Sequence, residues 1–208
     1  MKKTLLIIVL LVVAVGGYLY YRSLAAGPSY ALVQAARAFQ THDVAAFERY
    51  VDVRSVSNNL IGQVADQGSE LGISGSNNML MQGALQLLKP QLSEVARQEV
   101  KHLVESGTPP TPDQLPSTPL GKVSVVGMVG KVVGTNSRFK GIKYVREEGD
   151  QAFVGVELTQ PKYDTTVVVE LKMHNEGDYW QVKEITNASE LVKNFARLEK
   201  NERQSGNK

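Results

Sequence analysis

The sequence predicts an α+β fold: an N-terminal transmembrane helix, then several helices packed on a four-stranded antiparallel meander, with a C-terminal helix. Three observations predict it. An uncharged apolar run opens the chain, apolar residues then recur at helical spacing as far as residue 105, and from Arg138 the period changes to two. A chain of 208 residues suffices for one ordinary domain with appendages. It contains no cysteine, which excludes disulfides, zinc–thiolate sites and cysteine nucleophiles. The formal net charge is +2 and Lys2 and Lys3 supply both units, so the body is formally neutral. A neutral body speaks against nucleic acid as a partner, because that affinity comes largely from neutralising phosphates.

The apolar run is "TLLIIVLLVVAVGGYLYY", residues 4–21. As a helix rising about 1.5 Å per residue it spans about 27 Å, close to the hydrocarbon core of a bilayer. Tyr18, Tyr20 and Tyr21 suit an aromatic belt at one end. A cleaved signal peptide, with Ser23-Leu24-Ala25 at the cleavage site, usually has an apolar region of only about 7–15 residues. Residues 1–27 are therefore expected to be a cytoplasmic stub and an uncleaved anchor. Two lysines before the span and Arg22 after it place the N-terminus inside. The expected location is the inner membrane, single-pass, with the bulk of the chain on the periplasmic or external side.

Residues 28–200 are expected to form a single domain. Its helical half covers 28–106, a Pro-rich connector 105–122, a sheet half 138–187 and a C-terminal helix 188–200, with a loose polar tail at 201–208. Ser29 is a candidate N-cap, and Leu32, Ala35, Ala36 and Phe39 recur at helical spacing. Asp43 is a candidate cap for a second helix carrying Val44, Phe47, Tyr50 and Val51 inward. Adjacent His42 and Asp43 then straddle a helix corner, with His42 on the surface, and form no catalytic dyad. Asp52 is a candidate cap for a third helix, with Val53, Val56, Leu60, Ile61 and Val64 on its buried face. "GISGSNN", residues 72–78, is a loop by composition.

A long helix follows from Met79 to about Glu105, with a stripe of Leu80, Ala84, Leu87, Leu88, Leu92, Val95, Val100, Leu103 and Val104. Pro90 inside it should kink it or start a new helix. The connector holds five of the chain's eight prolines, and Thr111-Pro112-Asp113-Gln114 reads as a short capped turn. Residues 121–134 fit helix and strand alike.

The sheet half is more explicit. Ile142 and Tyr144 alternate with Lys143 and Val145. Ala152, Val154, Val156 and Leu158 share one face, with Phe153, Gly155 and Glu157 opposite. Val167, Val169, Leu171 and Met173 alternate in turn, and Trp180 and Val182 point inward. Turns at Glu148-Gly149-Asp150, Gln160–Asp164 and Glu176-Gly177-Asp178 separate the strands. Asn187-Ala188-Ser189-Glu190 reads as the capping box of the last helix, which Leu191, Phe195 and Leu198 pack down.

Signals for chemistry are sparse. His42, His102 and His174 show no metal spacing, and "GMVGKVVG" lacks the Ser or Thr that a phosphate loop needs after its lysine. There is no G-x-S-x-G and no H-E-x-x-H. No catalytic, cofactor-binding or metal residues are therefore assigned, and a non-catalytic role is expected.

The segment "PSYALVQAARAFQTHDVAAFERYVDVRSV" resembles the opening of a bacterial domain-of-unknown-function family numbered 2939. In that family a membrane segment precedes a P-x-Y-A-L helix, an "HD" corner and a "YVD" ending. Thr111-Pro112 with Leu115, Arg138-Phe139 and the Trp180 strand resemble its later features, so the likeness covers about residues 28–187. It implies no activity and no functional residues. The stretch "EGDYWQVKEI" is also similar to the late strand of the cone-shaped nuclear-transport-factor-two-like fold. The expectation is an uncharacterised membrane-anchored envelope protein whose external domain binds a partner in the cell envelope. The rival is a small-ligand carrier or small enzyme using a cone-shaped pocket, with His174, Tyr144 and Asp164 as its polar groups.

Overall fold

The computed structural model describes residues 27–66, 79–111 and 137–205, with scattered positions from 113 to 130. The expected membrane segment 4–21 and the loop 72–78 lie outside the described residues. Among those described, no helix is long and apolar enough to cross a membrane.

Helix α1 (Pro28–Gln40) starts with proline at its first position, where an N–H would have no helical partner. Gly27 precedes it and Ser29 lies within the first turn, so the expected serine cap is not made. Its buried face is Pro28, Ala31, Ala35 and Ala38, and Ala36 is exposed. Alanine lets the backbone approach closely: Ala31 packs among Ala152, Val154, Met173, Trp180 and Val182.

The helix ends with the N–H groups of Asp43 and His42 donating to Ala38 O (2.9 Å) and Phe39 O (3.3 Å). His42 stands at φ +58°, in the left-handed position that such a terminus usually gives to glycine. Helix α2 (Val44–Tyr50) is capped as expected, Asp43 Oδ1 accepting from Ala46 N at 2.9 Å. Val51 then makes an isolated parallel bridge to Val182, and Asp52 caps α3 (Val53–Asp66). Val53, Leu60 and Ile61 are buried as expected, with Val56 partly so.

Helix α4 (Met79–Ser106) runs through Pro90 without a new start. Leu92, Val95, Ala96 and Val104 carry its buried face, whereas Leu87 is 83% exposed. Leu87 precedes Leu92 by five residues, about 140° round the helix, which takes it off the packed face. Glu99, on the buried face, is only 2% exposed and accepts from Ser124 Oγ (3.0 Å) and Val126 N (2.8 Å). In the connector Thr111 N and Oγ1 both donate to Gln114 Oε1, which closes the anticipated turn. The short pair β1 (Ser117–Thr118) and β2 (Gly121–Lys122) follows, and Val126-Gly127 is helical.

The sheet is the anticipated meander: β3 (Arg138–Glu148), β4 (Gln151–Gln160), β5 (Thr165–Asn175) and β6 (Trp180–Ile185), antiparallel and in chain order. Gly149 at φ +66° and Asp150 make a two-residue turn between β3 and β4. The apolar faces of β4, β5 and β6 fall as expected, under α1 and α3 and under α5 (Ala188–Ser205). Strand β3 differs. Register shifts on either side of Ile142 put Ile142 and Val145 opposite Val156 and Val154 on the core side, while Tyr144 faces Gly155 on the other. Each shift inverts the alternation.

Helix α5 continues to Ser205, five residues into the segment expected to be loose. Asn187 precedes it but does not use its side chain as a cap. Its Oδ1 accepts from Glu170 N at 2.9 Å and its Nδ2 donates to Val168 O at 2.8 Å, so it ties the helix entry to β5 instead.

Candidate functional site

The polar side of the sheet carries two side-chain networks. The first starts at Asp52. Its Oδ1 accepts from Ser55 N (3.0 Å), and its Oδ2 accepts from Ser55 Oγ (2.9 Å) and Lys183 Nζ (3.3 Å). Lys183 is the extra residue where β6 slips register against β5, which frees its side chain to reach out of the ladder. Its ammonium also donates to Gln181 Oε1 (2.6 Å) and lies 2.8 Å from Glu176. Glu176 Oε1 is 3.6 Å from His174 Nδ1, and His174 Nε2 is 3.1 Å from Asp150. Five side chains, Asp52, Lys183, Glu176, His174 and Asp150, thus form one chain of polar contacts from the α3 N-terminus to the β3–β4 turn.

Two open clefts flank it. One, of about 460 Å³, lies between α3 and the β5–β6 strands, and its walls include Ser55, Asn59, Lys172, His174, Lys183 and Glu184. The other, of about 390 Å³, includes Glu48, Asp52, Arg54, Arg97 and Gln181. Asp52 lines one and Lys183 the other, so their ion pair is the partition. In the second cleft Arg97 grips Glu48 with two bonds, Nε–Oε1 at 2.7 Å and Nη2–Oε2 at 3.1 Å.

The second network crosses three strands. Gly155 on β4 has Tyr144 on one side and Glu170 on the other. The Tyr144 ring lies over this glycine, and a Cβ there would meet the ring at 2.4 Å. With nothing in the way, Tyr144 Oη donates to Glu170 Oε2 at 2.6 Å, and Thr186 Oγ1 donates to Glu170 Oε1 at 2.6 Å.

The electrostatics follow from these contacts. Hydrogen bonding from Lys183 holds Glu176 below the ordinary carboxylate value. Burial works against the charge on Asp52, yet the Ser55 and Lys183 bonds outweigh it and Asp52 is also lowered. Burial likewise opposes Lys183, and Glu176 and Asp52 together raise it. Thr186 and then Tyr144 lower Glu170, and the bond to Glu170 raises Tyr144. The Arg97 bond lowers Glu48.

The family model described as a protein of unknown function (DUF2939) matches residues 11–115. The chain belongs to the DUF2939 family. The match contains the segment 28–56 quoted for the resemblance, and it also takes in Arg97. The sheet half of this DUF2939 chain lies beyond the match. No curated protein and no solved structure matches the chain.

The three polar groups suggested for a pocket are not brought together in the DUF2939 chain. Tyr144 belongs to the second network and His174 to the first. Asp164 sits at φ +46° just before β5, at the opposite end of that strand from His174. Ten residues of strand separate them by about 33 Å. The core face of the sheet is filled by Ala152, Val154, Met173, Trp180 and Val182. Among the described residues no group of three or more metal-ligating side chains converges. Asp52, Lys183, Glu176 and Glu170 were not singled out from sequence; only the capping position of Asp52 carried a signal.

Proposed function

We propose that the chain is a single-pass, membrane-anchored envelope protein whose external domain is a non-catalytic binding module. One observation carries the second half of this reading. Among the described residues the displaced titrating groups all move away from neutrality: Glu48, Asp52, Glu170 and Glu176 downward, Tyr144, Arg97 and Lys183 upward. A general acid or base works best with a pKa near the operating pH. These groups are instead fixed in one protonation state by each other, which suits a permanent pattern of charge that a polar partner reads. The anchor is supported by the uncharged run at residues 4–21 and the lysines before it.

The test is fractionation of cells producing the full chain with a C-terminal tag, followed by alkaline extraction of the membranes and protease treatment of spheroplasts. The reading expects the chain in the extracted membranes and its tag removed by external protease. Recovery of intact protein from the soluble cytosol overturns it.

A further inference from the structure

Strand β3 is an edge of the sheet, eleven residues long, and its outer backbone has no described partner strand. The core-side face of the sheet is packed over β5, β6 and the buried half of β4; α1 reaches β3 as well, yet the large apolar side chains of β3 stay exposed. Ala152 and Val154 are 0% exposed, but Val145 is 40%, Ile142 36% and Phe139 68% exposed. Three large apolar side chains on one long free edge are a template for pairing with another strand.

Edge strands are usually protected by charged side chains and bulges. Here both the bulges and the charges leave the apolar face open. Lys140 is drawn to Glu157, 3.6 Å away on the neighbouring strand. Arg146 pairs with Glu148 at 2.8 Å and lies over the Phe153 ring, 4.8 Å from its centroid, on the polar side. The remaining charge is ordered along the strand: Arg138 and Lys143 toward its start, Glu147 near its end.

We infer that β3 is a self-pairing edge, its partner the β3 of a second copy running antiparallel. The antiparallel sense sets the basic start of each strand against the acidic end of the other. With the twofold between Lys143 and Tyr144, Ile142 of each copy faces Val145 of the second. The four aliphatic side chains then close over one another, and the two sheets become one eight-stranded sheet. A parallel pairing would stack like charges and has no such complementarity. The pairing stands independently of the proposed anchor.

The chain's lack of cysteine makes the test direct. Two differently tagged full-length chains, Ile142→Cys and Val145→Cys, are mixed and treated with a short bismaleimide, with Lys193→Cys on α5 as control. The expected result is a mixed-tag dimer from the strand pair and none from the control. Light scattering of the purified full-length chain should show a dimer that dissociates at least about tenfold more readily in Ile142→Glu/Val145→Glu. Circular dichroism of that variant checks its fold. A wild-type chain that stays monomeric, a dimer unaffected by the double variant, or equal cross-linking at Lys193→Cys each overturns the pairing.

Discussion

His42 Nδ1 lies 2.6 Å from the carbonyl oxygen of Val104, so the corner between α1 and α2 is bonded to the last turn of α4. A carbonyl only accepts, so Nδ1 carries the proton. The imidazole thus satisfies one of the carbonyls that a helix C-terminus leaves open. The expectation of an exposed His42 holds, but it is not a free surface residue.

Replacing His42 separates two effects. His42→Ala removes the bond and leaves a Cβ in the left-handed region, and should cost about 1–2 kcal/mol. His42→Gly also loses the bond but relieves the backbone, and should be about 1 kcal/mol less damaging than alanine. Urea melts compare the two. Equal losses would mean that the backbone conformation contributes nothing.

The two caps should rank unequally. Asp43→Ala loses one bond, to Ala46 N, and should cost about 0.5–2 kcal/mol. Asp52→Ala loses the bonds from Ser55 and one of the two carboxylate partners of Lys183, so its cost should exceed that of Asp43→Ala by about 1 kcal/mol. Asp52→Asn keeps a cap oxygen and should recover most of the difference. Thermal melts yielding the reverse order would dissociate Asp52 from the network.

Much of this was legible in the sequence, and the failures have physical causes. The meander showed because glycine and acidic turn residues bound strands of strict alternation. The phase of β3 did not, because bulges around Ile142 insert residues that leave no mark in composition. On α1, alanines occupy both faces, so periodicity alone could not say that Ala31, Ala35 and Ala38 pack inward while Ala36 does not. Asn187 satisfied the pattern of a capping box, yet β5 offered its amide two better-placed partners. The network joining Asp52 to Lys183 spans 131 residues, a distance at which no local pattern operates.

Gly155 should tolerate nothing larger. Gly155→Ala forces the Tyr144 ring aside and breaks its bond to Glu170, at a cost of about 1–3 kcal/mol. Tyr144→Phe loses only the hydroxyl bond, about 0.5–1.5 kcal/mol. In Gly155→Ala/Tyr144→Ala the glycine substitution should cost less than it does alone, a coupling that a double-mutant cycle measures. Strict additivity would show that the ring does not need the glycine.

Stability should fall at both ends of the pH scale. Asp52, Glu170 and Glu176 have lowered folded values, so their contribution is complete above the ordinary values of 3.8 and 4.5 and is lost as pH falls through the lower folded ones. Lys183 and Tyr144 are raised, so theirs is complete below 10.5 and 10.0 and lost as pH rises through the folded values. Lys183→Met should steepen neither limb and flatten both. Melts across pH check this; an unchanged acid limb in that variant would separate Lys183 from the carboxylates.

The Val51–Val182 bridge has a consequence for how the chain is made. Each strand of the meander pairs with its immediate successor, so the sheet assembles from neighbours as soon as residues 138–185 are available. The helices that emerge from the ribosome before it pack on one another, α1 on α2 and α3 on α4, but their sheet-facing sides have no partner yet. The alanine face of α1 and the N-terminal turn of α3 must wait for β6, more than a hundred residues later, and loop closure of that length is slow. At about 5–20 residues per second the helical half is out for several seconds before its seat exists. The alanine face of α1 offers little apolar surface during that interval, which limits what this helix can draw onto itself before β6 arrives.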